Sequence, residues 1–566
     1  MNWNQALSDH FKQTLQKLIS QEKCELSTLP DVQFSKPAQK IHGDVATNIA
    51  LVLAKPLKMK PREVADRIVP ALAAKADLFA KVEIAGPGFI NMWIQPHVLL
   101  SVLEDISREN EKYGHSTLGQ GKKVQVEFVS ANPTGPLHIG HGRGAIYGDV
   151  LGNVLAAAGY DVSKEYYVND VGVQMTTLGR SVYLRLQELQ GQKIEFPETC
   201  YQGAYIRDIA REVLALDPKI ASSSEADAIA FCGKYAGDKI LKEIQDDLAA
   251  TGVIHDVTFF EHELHEHDAV KKVFQKLEKS GHTYEQDGAL WFRSTVFGDD
   301  KDRVLRKNDG SLTYFAADIA YHEHKYARGF DRIIDIWGAD HGGYVARIKA
   351  VVQALGYEAD SFDAVLIQLV NLIRDGELIS MSTRSAQYET LADVRNEVGK
   401  DACRYFFLMR SHHAQLDFDL NLAKSESTEN PVYYIQYAYA RIQSVFRKAL
   451  EKGLKPPKTC DLTLLNLPEE IDLAVFLSEY RQVVHDAAAG LEPHRIAFYA
   501  LELALAFQGY YSQAKHDDRY RFLTDDAKAT EAKLYLLKNI AIVLHNALTL
   551  MGLSAPEEMI KGKEDT

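Results

Sequence analysis

Residues 124–158 restrict the fold more than any other stretch of the chain. VQVEFV (124–129) is a short run rich in β-branched and apolar residues, and a turn carrying Pro133, Gly135 and Pro136 follows it. The sequence then reads as a helix from about 140 to about 158. A strand that runs through a stiff turn into a helix is the opening of a crossover unit. The same rhythm returns downstream. KEYYV (164–168), RVLRK (303–307), RIIDIWG (332–338) and AVLIQLV (364–370) read as strands, with helices expected near 315–327 and 343–355. The expected fold class is therefore α/β, a parallel sheet with crossover helices that binds ligands at the carboxyl ends of its strands. Residues 176–280 carry long helical patterns and read as an insertion between two halves.

The flanks differ from this middle. Residues 1–110 read as a small α/β unit, with helices near 4–20, 46–55 and 62–74 and a strand-like VEIAGPGFINMWI (82–94) broken by a Gly-Pro-Gly turn. Polar residues 107–123 read as a linker. From about 385 onward the pattern is helical, a bundle interrupted by a loop over 452–470. No apolar run reaches the roughly 18 residues of a membrane helix. The polar opening MNWNQALSDHFKQTLQKL does not resemble a secretory signal, so a cytoplasmic location and no membrane partner are expected. Cys24, Cys200, Cys232, Cys403 and Cys460 form no CxxC pair, which points to reduced thiols and no structural zinc. The 64 Lys and Arg against 78 Asp and Glu leave a net charge of −14, and nearly all of it falls between residues 111 and 430. Composition alone argues against a nucleic-acid binder; an acidic middle can draw a cationic ligand through its field, though on charge alone it reads as a solvated surface.

The chemistry concentrates after the first strand, in EFVSANPTGPLHIGHGRGAIYGD (127–149). His138 and His141 stand three apart at a helix start that also contains Gly140, Gly142 and Gly144. Glycines let a phosphorylated ligand approach the backbone, and the helix N-terminus offers free N–H groups and partial positive charge. Two imidazoles there can donate to phosphate oxygens as charge develops. The glycine spacing is not the GxGxxG of dinucleotide sites.

HIGH (138–141) resembles the signature of class I aminoacyl-tRNA synthetases. SANPTGPLHIGHGR, LTYFAADIAYH (312–322), MSTRSAQ (381–387) and NPVYYIQYAYARIQS (430–444) resemble the arginyl-tRNA synthetase family, and VEIAGPGFIN (82–91) resembles its extra N-terminal domain. The resemblance implies a Rossmann-like class I catalytic domain between an α/β N-terminal domain and an all-α bundle. It sets an N-terminal tRNA-binding domain over 1–112, a catalytic domain over 113–385 with an insertion near 176–300, connecting helices over 386–445, and an anticodon-binding domain over 446–566. It implies a two-step ligase in translation: arginine and ATP give arginyl-adenylate and pyrophosphate, and the terminal ribose 2′-OH of the tRNA then takes the arginyl group. L-Arginine, ATP with its Mg²⁺, and tRNA for arginine are the implied partners of a monomer. His138, Gly140, His141, Met381, Ser382 and Arg384 are the implied catalytic set. Pro136, His138, Gly140, His141, Gly142, His341 and Arg384 would hold ATP. Glu127, Ser130, Asn132, Tyr314, Asp318 and His341 would hold arginine, and Phe89 and Asn91 would meet the tRNA. No residue is expected to ligate a metal.

A guanidinium is planar, permanently charged and best met by carboxylates. Glu127 at a strand end and Asp318, four residues after Tyr314 on one helix face, suit that need. The histidine-rich segment 261–268 reads as a solvated face, and the tyrosines 433, 434, 437 and 439 as a core stripe whose neighbours Gln436, Arg441, Arg447 and Lys448 permit RNA contact. Two alternatives stay open. One is another class I synthetase, for cysteine or glutamate; the other is a non-catalytic tRNA-binding relative, against which the retained motif residues argue.

Overall fold

The computed structural model describes residues 3–22, 29–220, 223–266, 268–379 and 389–559. Its central layer is a five-stranded, all-parallel sheet. The strands are β1 (Lys123–Glu127), β2 (Asp161–Val168), β3 (Val257–Phe260), β4 (Arg332–Gly338) and β5 (Phe362–Ile367), in the spatial order β5-β4-β1-β2-β3. Two helices flank it, α1 (Ile139–Ala157) after β1 and α2 (Tyr314–Ala327) before β4. The chain leaves β1 toward one edge and returns through β4 toward the other, so the topological switch lies between these neighbours. That is where such sheets bind ligands.

Alternation within the strands divides the two faces. Val124, Val126 and Phe128 point with Ile334 and Ile336 into the core that α1 shares with the C-terminal bundle. Ile333 and Phe362 join Phe315, Ile319 and Ala320 of α2 in a second core on the other face. α1 lies close to β1 because Gly148 has no side chain; a Cβ there would sit 2.2 Å from the Phe128 ring.

Four expectations change. The region read as an insertion contains VTFF (257–260), which pairs with β2 as the sheet's edge strand. Helices Val173–Leu189, Ala204–Leu216 and Glu225–Ala250 are thus an enlarged crossover between neighbouring strands. Four residues, one buried and three half-buried, are too few to show a period. RVLRK does not enter the parallel sheet; residues 303–306 form a separate antiparallel sheet with 283–286 and 289–292. AVLIQLV breaks after Ile367, and Val370–Arg374 begins another small sheet with Leu416–Asp419, a strand inside the stretch read as all helical. The strand-like 82–94 is a hairpin of Phe79–Ala85 and Phe89–Ile94, turned by Gly86 at φ 53° and Gly88 at φ 144°.

The bundle consists of α3 (Pro431–Glu451), α4 (Pro468–Ala489), α5 (His494–Gln513) and α6 (Ala527–Leu550). α3 starts as its sequence dictates: Asn430 accepts from the N–H groups of Val432 and Tyr433, and Pro431 fills the first helical position. The N-terminal unit packs its own core against Ile471 and Val475 of α4.

One buried cation ties catalytic layer to bundle. Arg404, fully buried in the helix Lys400–Leu408, donates Nη2 to Asp149 Oδ2 of α1 (2.6 Å), Nη1 to the carbonyls of Thr251 (3.2 Å) and Gly252 (3.0 Å), and Nε to the carbonyl of Met551 (2.9 Å). Lys164 of β2 donates to the other Asp149 oxygen at 2.6 Å. Removing one member of a buried charge pair strands the other. Arg404→Met is therefore expected to cost about 3–5 kcal/mol, read as a lower urea midpoint. Arg404→Lys is expected to recover little, because a point charge cannot serve four acceptors in a forked array.

Candidate active site

The site is built at the carboxyl edge of the sheet. Immediately after β1, Val129 and Ser130 both adopt left-handed backbone, φ 70° and 41°. That is rare for a β-branched residue and marks strain held by its surroundings. The reversal turns Ser130 Oγ back to donate to Glu127 Oε1 (2.9 Å) and to accept from the Tyr167 N–H (3.1 Å). Hydroxyls of Tyr166 and Tyr205 donate to the carbonyls of Ala131 (2.7 Å) and Thr134 (2.6 Å), fixing the loop. Asn132 donates to Gln174 Oε1 at 2.7 Å.

His138 is the N-cap of α1. Its Nδ1 accepts from the Gly140 N–H at 3.1 Å, which puts the ring proton on Nε2. The His141 ring stacks on it at 3.7 Å, 24° between planes. Burial lowers both imidazoles, that of His141 to about 3 with help from its neighbour, so both are neutral donors and acceptors at physiological pH. His141 Nδ1 is buried with no hydrogen-bond partner among the described residues. A Cβ on Gly140 would come within 2.9 Å of the His138 ring, so this glycine serves the cap geometry. Gly142 faces Leu391 and Phe407 in the core, and Pro136 is half-buried. The His138 backbone bridges to Thr390, and Leu391 N–H donates to the Leu137 carbonyl at 2.9 Å. The imidazoles are thereby stitched to the residues just after 381–387. Met381, Ser382 and Arg384 lie outside the described residues.

The acids expected to receive a cation lie on the other sheet face, on one network. Asp335, Glu127 and Glu165 sit in register on β4, β1 and β2, three carboxylates abreast. α2 answers them with a single face. Lys325 Nζ reaches Glu127 Oε2 (2.6 Å) and Asp335 Oδ1 (2.7 Å), and His322 lies between Asp335 (3.2 Å) and the Asp318 carbonyl (2.8 Å). Tyr321 (2.6 Å) and both Nη groups of Arg328 (2.7 and 2.9 Å) donate to Glu165. Asp318 accepts from the Tyr344 hydroxyl. Glu261, at the end of β3, accepts from the Tyr167 hydroxyl at 2.8 Å. Burial pushes the Glu127, Asp318 and Glu261 carboxyls above their usual range, and Tyr167 lies within the field of all three. Asp335, equally buried, is held down by Lys325 and His322.

Tyr314 stands at the mouth, 73% exposed at the first position of α2, and His341 is exposed beside Asp340. Glu261, Tyr167, Tyr344, Lys325 and Asp335 were not singled out from sequence. A lone acid inside apolar RIIDIWG and a lysine seven positions after Asp318 on one helix face were the available signals. The 261–268 segment is correspondingly not a plain solvated face. Glu261 is buried, and His262 Nδ1 meets Asp170 Oδ2 at 2.5 Å.

Elsewhere, Phe89 is 43% exposed at the hairpin turn, whereas Asn91 is 7% exposed, between Ala46 and Glu83 in the sheet. In the bundle, the Arg441 guanidinium lies between the rings of Tyr437 (4.4 Å) and Tyr511 (4.7 Å), while Gln436 and Arg447 are tied to Asp401 and the Glu557 carbonyl. Among the described residues no helix is long and apolar enough to cross a membrane.

Comparison with known proteins agrees with this architecture along the whole chain. Residues 5–94 match the arginyl tRNA synthetase N-terminal domain, 102–408 the catalytic domain of class I (R) tRNA synthetases, and 435–559 the DALR anticodon binding domain. The chain is 49% identical to an arginine–tRNA ligase of Syntrophotalea carbinolica, over 98% of its own length and 100% of the relative's. It is 51% identical to another from Desulfosudis oleivorans, over 97% and 100%. The crystal structure of Thermus thermophilus arginyl-tRNA synthetase superposes with a TM-score of 0.74 over 98% of this chain and 100% of that one, at 22% identity, a likeness of fold. With its three domains in this order, the strand–HIGH–helix unit at the switch point and relatives half identical over nearly its full length, the chain belongs to the arginyl-tRNA synthetase family.

Proposed function

We propose that the cleft at the carboxyl edge takes L-arginine between Glu127, Asp318 and Glu261, and MgATP against His138 and His141. The chain is an arginine–tRNA ligase, and the remaining question is which residues do what. The observation that carries the reading is the clustering of three buried acids, their carboxyls raised by burial, around Tyr167 at the switch point.

Arginine's guanidinium meets Asp318 and Glu261, whose tyrosine partners Tyr344 and Tyr167 hold them in place. Glu127, Ser130 and Asn132 face the α-amino end, and Tyr314 and His341 close the mouth. The arginine carboxylate then attacks the α-phosphorus of ATP and pyrophosphate leaves. His138 donates from Nε2 to phosphate oxygens, and the neutral His141 stacked on it offers a second imidazole. Side chains form no covalent intermediate here; positioning and charge supply the rate. Arg384 in the 381–387 segment supplies a cation for the departing pyrophosphate, with Met381 and Ser382 beside it in the motif. Mg²⁺ arrives with the phosphates. In the second step the terminal 2′-OH attacks the adenylate carbonyl and AMP leaves. The tRNA lies along the N-terminal unit, where Phe89 projects, and the bundle, where Arg441, Tyr437 and Tyr511 form a stacking platform. The protein acts as a monomer in the cytoplasm.

Three outcomes test this reading. Asp318→Asn is expected to raise the KM for arginine about 30- to 5,000-fold while the KM for ATP stays within about threefold, since a desolvated charge pair costs about 2–5 kcal/mol. An unchanged arginine KM in steady-state charging would remove that role. Burial raises the free carboxyls, and a bound guanidinium lowers them, so binding releases protons. The arginine KM should therefore climb as pH falls from about 7.5 toward the raised carboxyl range, and Asp318→Asn should flatten the climb. Arg441→Ala should raise the KM for tRNA by about tenfold, the scale of one lost stacking contact, and leave arginine and ATP untouched.

A further inference from the structure

Lys325 is a fully buried cation beside the cleft with no part in that mechanism. We propose that Lys325 is a positioning residue for arginine, a permanent internal cation that fixes the charge and the aim of Glu127. This rests on the reading of Glu127 as an arginine-binding acid.

The argument begins with the sheet. Neighbouring strands lie about 4.8 Å apart, so Asp335, Glu127 and Glu165 crowd as like charges in a dry layer. Unanswered, such a row would take up protons. α2 and its C-cap answer with Lys325, Arg328 and the His322 imidazole, whose two ring nitrogens both face acceptors. Arg328 engages both oxygens of Glu165, and Tyr321 adds a third bond, so that acid is satisfied. Lys325 is shared by the remaining two. Asp335 spends its second oxygen on His322. Glu127 keeps its second oxygen, Oε1, on Ser130, the first side of the loop that borders the cleft. Glu127 Oε1 is therefore the oxygen of the row that meets a neutral hydroxyl instead of a basic side chain, and it is the oxygen turned toward the ligand.

Lys325 also closes the floor. Its Nζ lies over the Tyr321 ring, 4.5 Å from the centroid, and its ammonium occupies the space between Glu127 and Asp335. An arriving cation therefore meets Glu127 Oε1 and not Asp335, whose oxygens are already taken by Lys325 and His322. A purely electrostatic view predicts the opposite consequence of losing this lysine. Removing a positive charge from the pocket would then tighten arginine.

Glu127→Gln, Lys325→Met and the double variant separate these views in tRNA charging assays. Glu127→Gln should raise the arginine KM by about tenfold or more. Lys325→Met should raise it similarly, with the ATP KM within about threefold and kcat changed less than KM. The double variant should be no worse than the more severe single one, because both changes act through one carboxylate. An arginine KM that falls or stays level in Lys325→Met, or single effects that multiply in the double variant, would overturn the proposal. A loss of melting temperature and kcat without the KM split would do the same. If Glu127→Gln leaves the arginine KM unchanged, the reading of Glu127 fails and the proposal falls with it. Should Lys325→Met not fold, Lys325→Met with Asp335→Asn removes the cation together with one partner. The same rise in arginine KM is expected there, and its absence is decisive against the idea.

Discussion

The ammonium of Lys325, wedged between two carboxylates of adjacent parallel strands, is the contact on which the catalytic layer depends. Three acids abreast in the middle of a sheet would ordinarily break it, since each costs several kcal/mol to desolvate alone. Here the sheet tolerates them because α2 crosses above with Lys325, Arg328, His322 and Tyr321 on one face. The polar layer in turn fixes how α2 lies on the strands, and so where Asp318, one and two turns upstream of His322 and Lys325, emerges at the sheet's edge.

The two sides of the sheet divide the work. On the α1 side the core is largely apolar and continuous with the bundle, crossed by the Arg404–Asp149–Lys164 cluster, and the two imidazoles gather at the helix start, where His138 caps α1 through Gly140. The residue that most plainly looks like chemistry in the sequence is also a structural cap. These roles are compatible: capping with Nδ1 sets the tautomer and leaves the proton on Nε2. On the α2 side the sheet is charged and buried, and burial raises the Glu127, Asp318 and Glu261 carboxyls. A nucleotide and a cationic amino acid need such opposite surroundings.

Much of this was legible in the sequence, and the misses have physical causes. The strand-turn-helix at 124–158 showed itself because β-branched residues, prolines and glycines each have a strong local preference. Glu127 and Asp318 were visible as acids at a strand end and on a helix face. Glu261 was hidden because the histidines around it read as surface, and only the return of VTFF to the sheet buries it. Lys325 was hidden for a related reason. A lysine near the end of a helix normally reads as solvated, and its partners are on strands that lie 198 positions upstream and 10 downstream. Burial of charge is set by tertiary pairing, which local pattern does not encode.

Arg404 carries a mechanical implication. Its guanidinium joins the helix behind the imidazoles, the end of the enlarged crossover and the last turn of the chain's final helix. Sliding any of these past another means surrendering several charge-assisted bonds in a dry interior at once. Catalytic layer and bundle therefore travel as one stiff frame, and a tRNA gripped at the distal helices registers against the reaction centre like a part clamped in a jig.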